Sequence, residues 1–217
     1  MAGKQNPFAA MTSVLLSTTY FGPVQWYQKL YRYESVSIDL QETFQKQTYR
    51  NRCLIATTQG IQALTVPVVH DTSNAIGDIR ISDHGNWRHL HWQALQTAYG
   101  DSPFFEYYED DLRPFFTERH WERLKDYNMS ICQKMCELLD IQPTIVQTSD
   151  FRLQPSCPPS INPDDFRLGI NPKHPLEDVD FQPKPYYQVY QQKHGFLPNL
   201  SILDLLFNMG PESIFYL

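Results

Sequence analysis

The segment from residue 46 to residue 52 holds the densest group of side chains suited to chemistry. Three of the 18 basic residues, Lys46, Arg50 and Arg52, lie within it, and Asn51 separates the two arginines. A guanidinium group offers a planar fork of donors that fits a phosphate or a carboxylate. The segment therefore predicts a binding site for an anionic ligand, such as a nucleotide, a sugar phosphate or a phosphopantetheine carrier. The alternative, in which Arg50 and Arg52 pair with acidic residues of the chain, is equally open.

A His-x-His pair at His89 and His91 is the second group with chemical potential. It falls in a predicted helix from Trp87 to Tyr99, where a spacing of two residues turns the rings about 200° apart. The two rings cannot then hold one metal ion, so we predict one solvated histidine and one that faces the core. Because imidazole titrates near neutral pH, His91 is the candidate general base.

Four cysteines, Cys53, Cys132, Cys136 and Cys157, are too few for a disulfide framework. Cys132 and Cys136 share one face of a predicted helix, which favours buried thiols in an apolar stripe. The apolar neighbours of Cys53 favour burial over a nucleophilic role. A thiol or metal enzyme built on these residues is a further alternative, but the spacing assigns no metal site. The cofactor is unknown, because the sequence has no Gly-rich phosphate loop and no G-x-S-x-G motif.

The order of the predicted elements indicates an α/β fold. An apolar strand begins at Val14, a helix follows Pro23, and an alternating strand runs from Ser35 to Leu40. Two strands joined by a helix over this length form a βαβ unit with parallel strands. A β-hairpin is predicted over residues 52–69. The expected fold is a small, mainly parallel Rossmann-like sheet with an inserted β-hairpin, a helical middle region and a Pro-rich C-terminal arm.

The remaining predicted elements follow from turn residues and periodicity. Asn86 and Thr117 are predicted to cap helices, and Gly100 is predicted to end one. In chain order, the elements are a short strand at 76–81, helices at 87–99, from 102 and at 118–139, a strand at 143–149 and a helix at 201–208.

We expect residues 1–217 to form a single domain, with residues 1–12 disordered. Nine of the 16 prolines lie between Pro155 and Pro198. Because proline lacks an amide donor and fixes φ, residues 151–200 are predicted to form an irregular arm that wraps the domain.

The amino-acid composition argues against several classes of binding partner. A net charge of -6 without a basic run argues against nucleic acids and anionic membrane surfaces. No apolar stretch approaches the ~20 residues that would insert across a bilayer, and no secretory signal precedes the domain, so a cytoplasmic location is expected. Aromatic residues make up 14% of the chain and offer flat surfaces to a sugar ring, with Tyr20, Trp87 and Tyr186 or Tyr187 as candidates. The same surplus would suit a homodimer interface.

Several motifs occur in an order that matches a known family. They are Tyr20-Phe-Gly-Pro23, Gln45-Lys-Gln-Thr-Tyr-Arg-Asn-Arg-Cys-Leu-Ile55, Leu64-Thr-Val-Pro-Val68, Trp87, His91-Trp92, Ser102-Pro-Phe-Phe105, Pro185-Tyr-Tyr-Gln-Val-Tyr190 and the stretch from Lys193 to Asn208. From about Val14 to Leu217 the chain thereby resembles the WbqC-like family, and it is most similar to the branch found in Bacteroidetes.

The resemblance implies a function in surface-polysaccharide or amino-sugar biosynthesis. The family takes its name from a gene of O-antigen clusters, and some members are suggested to transfer glycyl or acyl groups to amino sugars. The implied substrate is a small molecule, such as an amino-sugar nucleotide or a carrier-linked donor. Other branches carry His-Gln-Pro at the end of the first strand, where this chain has Thr18-Thr19-Tyr20. The alternative is a non-catalytic binding or assembly module on a degenerate nucleotidyltransferase-like sheet.

Overall fold

The structure is a computed structural model that describes residues 11–69, 73–117, 121–148 and 164–217. Its strands, in chain order, are β1 (Met11–Ser17), β2 (Tyr33–Asp39), β3 (Arg52–Thr57), β4 (Gly60–Thr65), β5 (Val68–Val69), β6 (Arg80–Ile81) and β7 (Thr144–Thr148). Its α-helices are α1 (Val24–Arg32), α2 (Trp87–Tyr99), α3 (Phe105–Leu112), α4 (Pro114–Thr117), α5 (Leu124–Leu138), α6 (Gln191–His194) and α7 (Ile202–Met209). Two 3-10 helices cover Ile76–Asp78 and Gly210–Tyr216.

A three-stranded parallel sheet in the order β1-β2-β7 forms one centre of the fold. α1 connects β1 to β2, which confirms the predicted βαβ unit. Val36 and Ile38 of β2 are fully buried, whereas Ser35 and Ser37 between them are half-buried. This alternation fixes the register, because a slip of one residue would turn the apolar side chains away from the core. The protein is therefore a mixed α/β structure with a small parallel sheet and several helices.

The predicted β-hairpin is present as β3 and β4, which pair from Arg52 opposite Thr65 to Thr57 opposite Gly60. Gly60 has a φ of +106°, a conformation that glycine adopts at little cost in the turn. The predicted second strand is shorter than expected. It stops before Pro67, which cannot donate to a ladder, and Val68–Val69 pair instead with β6.

The prediction of a strand at 76–81 is wrong over its first half, where Ile76–Asp78 form a 3-10 helix. The reason is a non-local pairing of the backbone. The amide of Ile76 donates to the carbonyl of Glu42, and the amide of Gly77 donates to that of Leu40.

The helical middle region contains four helices, α2 to α5, where three were predicted, because the short helix α4 was not expected and the second predicted helix begins at Phe105 instead of Ser102. α2 has the predicted bounds, although Asn86 makes no side-chain cap bond and Gly100 keeps a right-handed φ of -54°. The third predicted helix begins at Leu124 instead of Glu118, and Thr117 ends α4. Arg123 is held in an extended bridge to Arg80, where the amide of Ile81 donates to the carbonyl of Glu122 and the amide of Leu124 donates to that of Ile79.

α7 is the most deeply buried helix of the described chain, with every residue from 202 to 208 buried. Six of its eight residues are apolar, which is typical of a helix in such a position, and Asp204 and Asn208 are the two polar exceptions. Ser201 caps it, since its Oγ accepts from the amide of Leu203 at 3.3 Å and donates to the carbonyl of Phe21 at 2.8 Å. Around it the core is rich in aromatic rings, and the fully buried ones include Trp26, Tyr20, Tyr27, Tyr99 and Tyr127.

The Pro-rich segment is described only from residue 164 onward, so the part of the predicted arm at 151–163 lies outside the described residues. Residues 164–190 contain no helix and only one bridge, between Leu15 and Asp165. A buried ion pair of 2.6 Å joins Lys29 of α1 to Asp178. The wrapping arm as a unit and the single domain stay predictions. The predicted disorder of 1–12 also stays one, and residues 1–10 lie outside the described residues.

None of the helices in the described ranges has the length and apolar character that crossing a membrane requires.

Candidate functional site

The carboxyl ends of β1 and β2 bring polar side chains together at one edge of the parallel sheet. Ser17 is the last residue of β1, and Asp39 is the last residue of β2. In open α/β sheets, ligands usually bind beyond the carboxyl ends of the strands. Two groups of side chains lie at this end of the fold. We call them the edge network (Ser17, Asp39, Glu42, Arg50, Asp165, Arg167) and the His91 cluster (Tyr20, Trp87, Arg88, His91, Tyr127).

Arg50 is the centre of the first half of the edge network and is only 2% exposed. Its Nε donates to Oε1 of Glu42 at 2.8 Å, and its Nη2 donates to Oε2 of Glu42 at 2.5 Å and to Oγ of Ser17 at 2.7 Å. Burial raises the pKa of the Glu42 carboxyl, and the Arg50 guanidinium acts in the opposite direction. The guanidinium predicted to bind an anionic ligand therefore has protein partners already.

Arg167 is the centre of the second half. Its Nη1 lies 2.6 Å from Oδ2 of Asp39, and its Nη2 lies 2.7 Å from Oδ2 of Asp165. Hydrogen bonding to Asp165 is the largest cause of a raised pKa for the Arg167 guanidinium. The carbonyl of Arg167 also accepts from Nη2 of Arg50 at 3.2 Å, which joins the two halves. Three carboxyl groups thus surround two guanidinium groups.

The His91 cluster is assembled by residues just after β1 and by α2 and α5. Tyr20 is fully buried, and its hydroxyl lies 2.9 Å from Nδ1 of His91. The rings of Tyr20 and Tyr127 lie 5.7 Å apart between centroids, and the Tyr127 hydroxyl donates to the carbonyl of Phe115 at 3.1 Å. The Trp87 ring meets His91 edge-on at 5.1 Å between centroids. His91 is thus the core-facing histidine.

His89 is exposed, so the prediction of one solvated and one core-facing histidine is confirmed. Burial lowers the pKa of His91, and a hydrogen bond with the backbone of Thr65 raises it by a smaller amount, so that the pKa is about 4. At neutral pH the ring is therefore uncharged and can accept a proton. Burial also raises the pKa of Tyr20 well above its ordinary value, while the positive charge of Arg88 acts to lower it.

Arg88 is a member of the cluster that the sequence reasoning missed. Its guanidinium carbon lies 4.4 Å from the centroid of the Trp87 ring, and its Nη1 lies 2.6 Å from Oδ1 of Asp83. Asp83 is largely exposed, so this ion pair contributes little to stability. The buried Nε of Arg88 has no hydrogen-bond partner within the described ranges. The available signal was its position three residues before His91, which places both on one face of a helix.

The other predicted ligand-binding residues are dispersed. Lys46 is exposed, and Tyr187 is 47% exposed. Asn51 is buried, and its Nδ2 donates to the carbonyl of Val66 at 2.8 Å. Arg52 is half-buried, and its Nε is another buried donor without a partner in the described part of the chain. Of the predicted site residues, the structure brings Tyr20, Trp87 and His91 into direct contact, and it places Arg50 in the edge network.

The cysteines of the described residues are buried, free thiols, as expected. Burial raises the pKa of Cys53 to about 12, and the neighbouring thiol of Cys136 together with burial raises the pKa of Cys132 well above its ordinary value. Cys157 lies outside the described residues. Within the described ranges, no cluster of three or more His, Cys, Asp or Glu side chains has the arrangement of a metal site.

Comparison with known proteins adds two findings. The model of the WbqC-like protein family matches residues 18–157 and 175–216, which is most of the chain. Among curated proteins, the chain is 28% identical over 198 residues to "Uncharacterized protein Rv1507c" of Mycobacterium tuberculosis. That alignment covers 82% of this chain and 84% of the relative. No solved structure matches the chain.

Proposed function

Because the chain belongs to the WbqC-like protein family, we propose that it is a group transferase of surface-polysaccharide or amino-sugar biosynthesis, with a glycyl- or acyl-type group as its cargo. The observation that carries the proposal is the 2.9 Å contact between the Tyr20 hydroxyl and Nδ1 of His91, just beyond the carboxyl end of β1. An uncharged imidazole in this position is suited to general-base catalysis.

In the proposed reaction, the amine of an amino sugar attacks the carbonyl carbon of the donor. A carbon–nitrogen bond forms, and the bond between the acyl group and its carrier breaks. The amine gives its proton to the Tyr20 hydroxyl, which gives its own proton to Nδ1 of His91, and a proton returns by the same path to the leaving carrier. Atoms and charges balance without an oxidant or a reductant. The lowered pKa of His91 keeps its buried ring uncharged throughout the neutral range, which is the form that a general base requires.

The anionic part of the donor would be held by arginine. Arg88 and Arg52 are the best placed for this, because each has a buried Nε without a partner in the described chain. Arg50 would have to exchange Glu42 for the ligand, so we propose it as a secondary contact. Trp87 would supply a flat surface to the sugar ring. Tyr187, whose side chain is more exposed than that of Trp87, would supply a second one.

The remaining predicted contacts, Lys46 and Asn51, stay part of the proposed anion-binding segment. A relation of the sheet to Rossmann-like nucleotidyltransferases, a cytoplasmic location and a homodimer stay predictions. Sedimentation at several protein concentrations would test the homodimer.

Turnover is the direct test. Purified protein is assayed with amino-sugar nucleotides as acceptors and with acyl or glycyl groups on a carrier as donors. His91→Gln should lower kcat by at least about 10²-fold, since a general base typically contributes that much or more. Tyr20→Phe keeps the ring and should also lower kcat. The matched control is His89→Gln, which changes an exposed histidine on the same helix and should leave kcat unchanged. Full turnover in both His91→Gln and Arg52→Ala would overturn the site assignment.

A non-catalytic binding module is the second candidate, and the edge network is the observation that favours it. In that network Arg50 forms an ion pair with Glu42, and Arg167 forms ion pairs with Asp39 and Asp165. These pairs stabilise the end of the sheet and leave both guanidinium groups with protein partners. A panel of nucleotide sugars that bind without being consumed, with equal affinity in wild type and His91→Gln, would support this candidate over the transferase.

A further inference from the structure

A groove of about 680 Å³ lies between the β3–β4 hairpin, α2 and Tyr190. Its volume is in the range of small-molecule sites, which is roughly 300–1,000 Å³. On α2 it is formed by the exposed side of the helix, with Gln93 and Thr97 one turn apart. His91 of the same helix is buried, so the groove is distinct from the His91 cluster.

The lining of this groove has one chemical character. None of the lining side chains carries a charge, although charged residues make up 19% of the chain. Most of them end in a hydroxyl or a carboxamide, and a few small or aliphatic side chains lie between. The polar members are Thr57, Thr58, Gln59, Gln62, Gln93, Thr97 and Tyr190.

This combination fits a ligand whose own groups are hydroxyls. Carboxamides and hydroxyls both donate and accept hydrogen bonds, as sugar hydroxyls do, so each can pair in either direction. A phosphate, a nucleotide or a carboxylate would find no cation in the lining to offset its loss of water. The half-buried ring of Tyr190 at the margin offers an amphipathic surface to the C–H face of a sugar.

Two basic side chains at the margin of the groove contact backbone carbonyls of its lining residues. Nζ of Lys193 donates to the carbonyl of Thr58 at 2.7 Å, and Nε2 of His194 lies 3.2 Å from the carbonyl of Thr57. These contacts fix α6 against the turn of the hairpin. The hydroxyl of Tyr190 donates to the carbonyl of Thr97 at 3.4 Å, which ties the margin of the groove to α2. The groove walls are thus held together before any ligand binds.

We propose that this groove is a binding site for a neutral saccharide. The recognised chemistry is an uncharged sugar ring, held by the carboxamides of Gln93 and Gln62 and covered on one face by Tyr190. The inference goes beyond the proposed transferase and does not depend on it, because none of these residues belongs to the His91 cluster.

The test is a titration of the full-length protein, followed by backbone and side-chain amide signals in nitrogen–proton correlation spectra. The probes are glucose, galactose, mannose and N-acetylglucosamine, with glucuronate and glucosamine as charged counterparts. At least one neutral sugar should produce saturable shifts in the Gln93 and Gln62 amides, with a dissociation constant of order millimolar. Gln93→Leu should weaken that binding about tenfold. The matched control is Gln133→Leu, which changes an exposed glutamine on α5.

Three results would overturn the proposal. One is the absence of saturable shifts with every neutral sugar. Another is unchanged affinity in both Gln93→Leu and Tyr190→Ala. The third is equal affinity for glucuronate and for its neutral counterpart, glucose. Sugar binding that persists in His91→Gln while turnover is lost would separate this site from the transferase site. Sugar binding in a protein without any turnover would leave the groove supported and the transferase rejected.

Discussion

Replacing Tyr186 with phenylalanine should destabilise the protein, because this hydroxyl is one of three donors to a fully buried carboxyl group. Asp204 of α7 has no exposed surface. It accepts from the Tyr186 hydroxyl at 2.7 Å, from the Tyr99 hydroxyl at 2.9 Å and from Nε2 of Gln188 at 2.8 Å. Two of these donors belong to the irregular segment before α6, so the carboxyl group also anchors that segment to the core.

The expected magnitude follows from the kind of bond that is removed. A hydrogen bond to a charged group contributes about 1.5–3 kcal/mol net, and phenylalanine preserves the packing of the Tyr186 ring. We therefore expect Tyr186→Phe to lower the free energy of unfolding by about 1.5–3 kcal/mol. For a chain of this length, that loss lowers Tm by about 3–12 °C.

Urea unfolding, followed by tryptophan fluorescence, measures the effect, and the neighbouring residue supplies the control. Tyr187 is 47% exposed, so Tyr187→Phe should change the free energy of unfolding by less than about 0.5 kcal/mol. Equal stability of the two variants would refute the reasoning, since it would mean that the Asp204 carboxyl does not need its third donor.

The same variant makes a prediction about pH. Burial raises the pKa of Asp204 in the folded protein, and the hydrogen bonds from Tyr186, Gln188 and Tyr99 lower it again. With a raised folded pKa, the stability that Asp204 contributes is present at low pH and is lost as the pH rises through that pKa. The Tyr186 bond favours the charged form. The destabilisation by Tyr186→Phe should therefore grow as the pH rises above the ordinary aspartate pKa of about 3.9, and a constant difference would contradict this account.

Three further predictions concern the edge network, the buried thiol of Cys53 and the His91 cluster. Glu42→Gln leaves the Arg50 guanidinium buried without its charged partner and should cost about 3–5 kcal/mol in urea unfolding. The matched Glu122→Gln, at a side chain that is 77% exposed, should cost less than about 0.5 kcal/mol. Cys53, buried and with its pKa raised to about 12, should react with a thiol reagent at pH 8 only after urea is added, and fast labelling of Cys53 itself in the native protein would count against burial. Because the pKa of His91 is lowered to about 4, kcat/KM should stay level down to about pH 5 and fall as the pH drops through 4, whereas a fall near pH 6.5 would contradict a base whose pKa is lowered by burial.

The sequence pattern predicted the structure correctly where the bounds and the buried face of an element depend only on its own residues. The bounds of α2 were predicted correctly from Trp87 to Tyr99, and the opposite directions of His89 and His91 follow from helical geometry alone. The start of α5 was not predictable in this way. Residues 79–81 pair with residues 122–124, and a pairing over 40 positions leaves no trace in the periodicity of either segment.

The edge network was even less predictable from the sequence, because most of its contacts join residues that are far apart in the chain. The sequence does place Ser17 and Asp39 at the ends of two predicted parallel strands, which is a signal for a site. The partner of Asp39, however, is Arg167, which lies 128 residues further along the chain. Glu42 and Arg50 are close in sequence, but only the chain path between β2 and β3 directs them toward each other. The sequence shows that arginines are concentrated in residues 46–52. It does not show that carboxylates from distant positions pair with them in the folded protein.

The arrangement of α2 makes the two proposed sites independent. Arg88 and His91 are three residues apart and share its buried face, whereas Gln93 and Thr97 are four residues apart and share an exposed face. The first face has Arg88, whose buried Nε has no partner in the described part of the chain, and the second face has no charged side chain in its lining. A charged donor is therefore favoured on the side of His91, and a neutral ligand is favoured on the side of Gln93. A ligand on one face cannot contact the other, because the helix backbone lies between them. Coupling would require α2 to shift within a core that holds Trp92, Leu95 and Tyr99 buried.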